Sequence, residues 1–253
     1  MAAKLRIKGR ILLVGNEGLM HLVLATGVML ILCINFSVLT YELFIKKGDN
    51  TLVDFTVSLF LFLFSRGICW LIHLGVDRFF LRRSQQAGER AADLFRYLNP
   101  VRAAGALAFG AVLSSLKLFY LLLSFLPFGA MLYILYYSAV RGVSVLVAAS
   151  LAAGCVLLFI SGAIFYTSIS ASLFTAKYHY ICGDCISFRQ IFSSSVQEMK
   201  HRKSLLIKLK LSFRGWFLLS LLVFPIGYVW SYYNQTLAVA AAEFMSHAYL
   251  QDG

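Results

Sequence analysis

From Ala103 to Val140 the chain carries one charged residue, Lys117, and from Gly142 to Ala176 it carries none. A helix that crosses a bilayer needs about 20 mainly apolar residues. Both stretches exceed that length, so they must tilt or protrude. Composition agrees: 60% of residues are apolar, 13% are charged and the mean hydropathy is +0.79. Soluble domains are typically about 45–50% apolar and about 25% charged. These values exclude disorder, a collagen-like repeat and an ordinary soluble enzyme domain.

Two further apolar runs precede these, residues 19–44 and 52–76. A last apolar region, Leu205 to Tyr249, divides at Pro225–Gly227 into spans 205–225 and 228–249. The fold class expected is all-α: a single polytopic transmembrane bundle over residues 1–253, with six spans (103–140 and 142–176 being the middle pair) and five as the alternative. Lys4, Arg6, Lys8 and Arg10 resemble a signal-peptide head. The apolar run after them is longer than such a peptide's roughly 7–15 residues and no A-x-A-like site follows, so a retained helix is expected.

The net charge of +12 would suit nucleic acid in a soluble protein, but here its placement speaks for topology. Lys and Arg favour cytoplasmic loops. Four lie in residues 1–18, six in 73–104 and eight in 175–214; the alternate connections hold only Lys46, Lys47 and Arg141. The N-terminus and the loops 77–102 and 177–204 are therefore expected in the cytoplasm, and no nucleic-acid partner is expected.

Both loops carry helical patterns. Ala87, Ala91, Leu94, Phe95 and Leu98 share one face, with Arg90, Asp93 and Arg96 away from it. Ser187-Phe188-Arg189-Gln190 reads as a capping box, followed by a stripe of Phe188, Ile191, Phe192, Val196 and Met199 and by the cluster Lys200-His201-Arg202-Lys203. Two interfacial amphipathic helices on anionic lipid headgroups are expected, with an unidentified membrane-protein partner as the alternative.

Prolines are few. Leu126-Pro127-Phe128-Gly129 and Phe224-Pro225-Ile226-Gly227 both end apolar runs, and residues 119–129 share Phe, Leu, Leu, Pro and Gly with 217–227. Helix breaks are expected at Pro127, Gly129, Pro225 and Gly227. Such interrupted repeats occur in transporters, although kinks and turns use the same residues. Arg66 and Lys117 are the two clear cases of a basic residue inside a span. Charge at that depth is costly and points to function by default, so both form a candidate intramembrane polar site. Structural pairing, of Arg66 with Asp54, Asp77 or Glu243, is the alternative, as is snorkelling for Lys117.

Cys182-Gly183-Asp184-Cys185, with His179 nearby, supplies three ligands where structural zinc takes four. No metal site, cofactor or catalytic residue is expected. The motifs G-x-S-x-G, H-E-x-x-H and G-x-x-x-x-G-K-[ST] are all missing.

Leu211-Ser212-Phe213-Arg214-Gly215-Trp216 resembles the L-S-F-x-G-W signature of the bacterial integral membrane proteins called domain of unknown function 975. Tyr178-His179-Tyr180-Ile181-Cys182-Gly183-Asp184 is similar to that family's Y-x-Y-I-L-A-D stretch, with Asp184 on its aspartate. Tyr232, Thr236 and Ala238 match the family's later pattern, while Ser231 and Ala240-Ala241 depart from it. The resemblance covers residues 178–241. It implies a bacterial cytoplasmic membrane, six helices and no enzymatic role, and it carries no catalytic residues. Within the signature, Gly215 suits close helix approach, Trp216 interfacial anchoring and Ser212 a bond to its own helix backbone or to a neighbour. The function expected is a non-enzymatic membrane or envelope-associated factor. The alternative is a small transporter or lipid-handling permease that uses Arg66 and Lys117.

Overall fold

Apolar runs of this length satisfy their own backbone as helices, and in a computed structural model every assigned element is helical. The structure describes residues 1–13, 17–40, 51–85, 91–142, 144–183, 187–216 and 226–249. The helices are α1 (Ala2–Leu13), α2 (Glu17–Thr40), α3 (Thr51–Ser84), a 3-10 helix η1 (Ala91–Leu98), α4 (Pro100–Val140), α5 (Val145–Ser172), α6 (Ala176–Cys182), α7 (Phe188–Met199), α8 (Lys203–Ser212) and α9 (Ile226–Tyr249).

Four helical segments are long and apolar enough to cross a membrane: Leu19–Thr40, Val53–Ser84, Pro100–Val140 and Val145–Cys182. Protein covers little of them, only 6% of the most apolar window of Pro100–Val140. Phe36, Phe60, Leu126 and Ile164 are each at least 65% exposed. A surface this apolar is suited to lipid.

Helix α4 is one continuous helix of 41 residues through Pro127 and Gly129, where a break was expected. Pro127 forfeits one backbone bond, which a neighbouring helix can make tolerable in lipid. Close to it α5 packs tightly on α4: a Cβ at Gly162 would lie 3.3 Å from the Ser124 carbonyl carbon, and Ser124 Oγ donates to the Tyr120 carbonyl. At the far end α4 turns into α5 at Arg141–Gly142, with Gly142 at φ +66°. A side chain is strained in this left-handed conformation.

Of the fifth expected span, α8 covers the start and residues 217–225, including Pro225, lie outside the described part. The second copy of the repeat lies there too. Gly227 is the second residue of α9. Helices α8 and α9 run antiparallel: Arg202 Nη1 donates to the Phe244 carbonyl at 2.8 Å, while the Phe213 ring meets Tyr232 and Tyr233 at 5.1 and 5.3 Å. Helix α9 is deeply enclosed, with Ser231, Gln235, Thr236, Ala240, Ala241 and Phe244 all at 0% exposure.

The core gathers at one end of the bundle, around Phe79, Phe80, Tyr178, Phe213 and Phe244. The basic segments meet there. Arg83 Nε donates to the Leu12 carbonyl, Arg78 Nη1 to the Ile181 carbonyl and Tyr232 to the Arg6 carbonyl. The N-terminal residues, read as a basic flank, form α1. Its Leu5, Gly9 and Leu13 are buried at helical spacing, and Gly9 admits the Thr236 backbone.

The two loop helices face protein more than the expected lipid surface. The capping box of Ser187 and Gln190 is present at the start of α7. From the stripe behind it, Ile191 and Met199 are buried and Phe188 and Phe192 pack on Phe109, both at 5.8 Å; Val196 alone stays exposed. The other segment winds as a 3-10 helix, whose period of three superposes i and i+3. Leu94 and Tyr97 therefore turn inward and Phe95 and Leu98 outward. Asp93, placed on the polar side by an α-helical reading, is buried and pairs with Arg78 and Arg82, both at 3.2 Å.

Candidate functional site

Five helices point one stripe each at a common cavity of about 370 Å³. From α3 come Trp70, His73, Val76 and Asp77, spaced to share a face. Leu113 and Lys117 follow on α4, one turn apart. Ser170, Leu173 and Phe174 line it near the end of α5, and Lys177 extends that stripe from α6. Helix α2 supplies Leu24, Gly27, Val28 and Ile31, and α9 supplies Trp230, Tyr233, Asn234 and Leu237. Lys210 of α8 completes the lining.

The charge in this cavity is unbalanced. Lys177 Nζ donates to both Asp77 carboxylate oxygens, at 2.8 and 2.7 Å. Its ammonium also lies 4.8 Å from the Tyr178 ring centroid. Lys210 Nζ stands 5.4 Å from the Phe174 ring centroid, a cation–π distance. Lys117, half-buried, makes no hydrogen bond or ion pair among the described residues. Among the described residues, three ammonium groups and one carboxylate thus line this space, beside a wall of Leu24, Val28, Ile31, Leu113 and Leu237. Such a space attracts an anion through charge and accommodates an apolar moiety beside it.

Arg66 and Lys117, the expected pair, part company here. Lys117 lines the cavity. Arg66 is exposed on the outer face of α3, its guanidinium 5.3 Å from the Phe62 ring centroid, and does not line it. Asp77, one partner considered for Arg66, is taken by Lys177. Asp77, Lys177 and Lys210 belong to the cavity although sequence reading had set them among flanks and loops. They come from three separate segments with no common spacing. The i, i+4 pair His73 and Asp77 within an apolar run was the available signal.

His179, considered with the cysteine pair, places Nε2 2.8 Å from Glu198 Oε1 in a pair whose side chains are 5% and 4% exposed. Cys182 is not in a disulfide, and Cys185 lies outside the described residues. No group of three or more metal-ligating side chains occurs among the described residues.

Compared with protein-family models, curated proteins and solved structures, the chain matches none. The resemblance to domain of unknown function 975 therefore rests on the signature residues alone. Of these, Phe213 is fully buried, Leu211 and Trp216 are 47% and 48% exposed, and Ser212 Oγ bonds back to the Leu209 carbonyl at 2.7 Å. Gly215, expected at a close helix approach, has nothing within 4 Å among the described residues. It lies exposed beyond the end of α8. Asp184 lies outside the described residues.

Proposed function

We propose that this protein is a multi-pass protein of a bacterial cytoplasmic membrane that binds an anionic, partly apolar molecule in the α2–α9 cavity, as a small permease or lipid-handling protein. The observation that carries the reading is the surplus of two positive charges in a cavity with one apolar wall. Lys117 and Lys210 are the binding groups, and the Lys177–Asp77 pair holds α6 to α3 beside them. Arg66 has no part in it. The N-terminus faces the cytoplasm, because the basic segments meet at one end of the bundle and lysine and arginine favour that side. The antiparallel α8–α9 pair returns α9 to that end, which supports a cytoplasmic C-terminus and an even number of crossings. The wider reading, a non-enzymatic envelope-associated factor, leaves the charged cavity without a role.

Trp70 and Trp230 line the cavity, and Trp216 is the other tryptophan of the chain. In a Trp216→Phe background, a single-chain anionic amphiphile with a brominated tail should quench fluorescence saturably, and its zwitterionic analogue should not. Lys117→Gln should weaken that binding roughly tenfold or more, since a hydrogen bond to a charged group contributes about 1.5–3 kcal/mol. Equal quenching by both amphiphiles, or equal affinity in the Lys117→Gln protein, refutes the proposal.

A further inference from the structure

A second basic concavity lies across the α3–α6 seam from the cavity. Asp77 and Arg78 are neighbours on α3 but serve different sites. Asp77 holds Lys177 in the cavity, while Arg78 Nη1 donates to the Ile181 carbonyl at 3.1 Å, at the other end of α6. Beside that bond is a cleft of about 480 Å³ lined by Arg78, Arg82 and Gln85 near the end of α3, Arg96 of η1, and Ile181 and Cys182 of α6.

Among the described residues, two of these arginines share one carboxylate. Asp93, with 6% of its side chain exposed, accepts from Arg78 Nε at 3.2 Å and from Arg82 Nη1 at 3.3 and 3.2 Å. It lies beneath them and fixes two guanidinium groups in place. Arg96, half-buried, makes no hydrogen bond or ion pair among the described residues. Burial first, and then the charges of Arg78 and Arg102, lower its pKa, the mark of a cation without enough negative charge nearby. Guanidinium forks match the oxygens of a phosphate and bind it bidentately. Among the described residues, positive charge exceeds negative charge in this lining, which suits an anion.

We infer that this cleft is a phosphate-binding site, with Arg96 as the principal ligand and Arg78 and Arg82 as the groups oriented by Asp93. It is separate from the cavity and independent of the function proposed for it. The phosphoryl group is that of an anionic lipid headgroup or of a soluble phosphate compound.

The test uses the whole protein in mild detergent, with inorganic pyrophosphate, glycerol phosphate and short-chain phosphatidate as probes and potassium chloride at matched ionic strength as the control. Pyrophosphate should raise the unfolding midpoint of the wild type saturably. Arg96→Gln should weaken that effect at least tenfold, and Arg96→Lys, which keeps the charge but loses the fork, should weaken it less. Lys117→Gln should leave it unchanged, which separates this site from the cavity. Stabilisation by phosphatidate at concentrations where glycerol phosphate is inert assigns a lipid headgroup; equal stabilisation assigns a soluble phosphate. If pyrophosphate acts no better than chloride, or acts equally on wild type and Arg96→Gln, the inference is overturned.

Discussion

Replacing Gly75 by alanine tests how η1 is held against α3. A Cβ at Gly75 would lie 2.7 Å from the Leu94 carbonyl carbon and 2.9 Å from Leu94 Cα, with the carbonyl oxygen closer still. Ordinary contact begins near 3.4 Å, so the Leu94 backbone must retreat by at least about 0.7 Å, the difference between 3.4 and 2.7 Å. Backbone cannot rotate away as a side chain can. Overpacking typically costs about 1–3 kcal/mol, and the upper part of that range, about 2–3, applies here. The retreat also moves Asp93 on η1 away from Arg78 and Arg82. For a chain of this size, about 2–3 kcal/mol corresponds to a fall of about 4–12 °C in the unfolding midpoint. Fluorescence-detected gel filtration after heating in detergent measures it. Gly129→Ala, with open space around it, is the control and should be neutral or slightly stabilising. Gly110→Ala would meet the Trp70 ring, with Cδ1 and Cε2 both at 2.7 Å. That clash is with a side chain, so Trp70→Ala should relieve it, whereas Leu94→Ala should not relieve Gly75→Ala. A Gly75→Ala protein as stable as Gly129→Ala, or one rescued by Leu94→Ala, refutes the reasoning.

Asp77→Asn removes the only carboxylate among the described residues that line the cavity and leaves three ammonium groups together; with the pair partly exposed it should cost about 1–3 kcal/mol. Adding Lys177→Gln should recover part of that loss, and a double-mutant cycle with zero coupling would contradict the pairing. Gln235 is 0% exposed and neither of its amide atoms has a hydrogen-bond partner among the described residues. Gln235→Leu should therefore stabilise the protein by about 1 kcal/mol or more in thermal unfolding, and a loss of stability would show that the amide is satisfied. Arg66→Leu should leave amphiphile quenching unchanged, because Arg66 is on the outer face of α3; weakened quenching would place Arg66 in the site.

The four long helices were legible because hydropathy is additive along a chain. So was the α4–α5 turn, at an arginine and a glycine between two apolar runs. The capping box of Ser187 and Gln190 was equally local, a bond between neighbours. What escaped was the partner of each face. The stripe on α7 read as a lipid-facing surface because Phe188, Ile191 and Phe192 look alike whether they meet acyl chains or Phe109. Asp93 read as exposed because an α-helical period was assumed where the chain winds with a period of three. Pro127 read as a break because its lost bond is visible in sequence, while the close packing of α5 on α4 beside it is not.

Sequence alone determined that this chain is helical, that it holds segments long and apolar enough to cross a membrane, and that most of its positive charge lies in three of its segments, since length, hydropathy and charge order are properties of the chain in one dimension. Only the tertiary structure decided what those charges do. It set Arg66 on the outer face and brought Lys117, Lys177 and Lys210 around Asp77. It also gathered three arginines over Asp93. Coulomb interactions depend on distance in space, and residues from α4, α6 and α8 become neighbours only once the helices have packed.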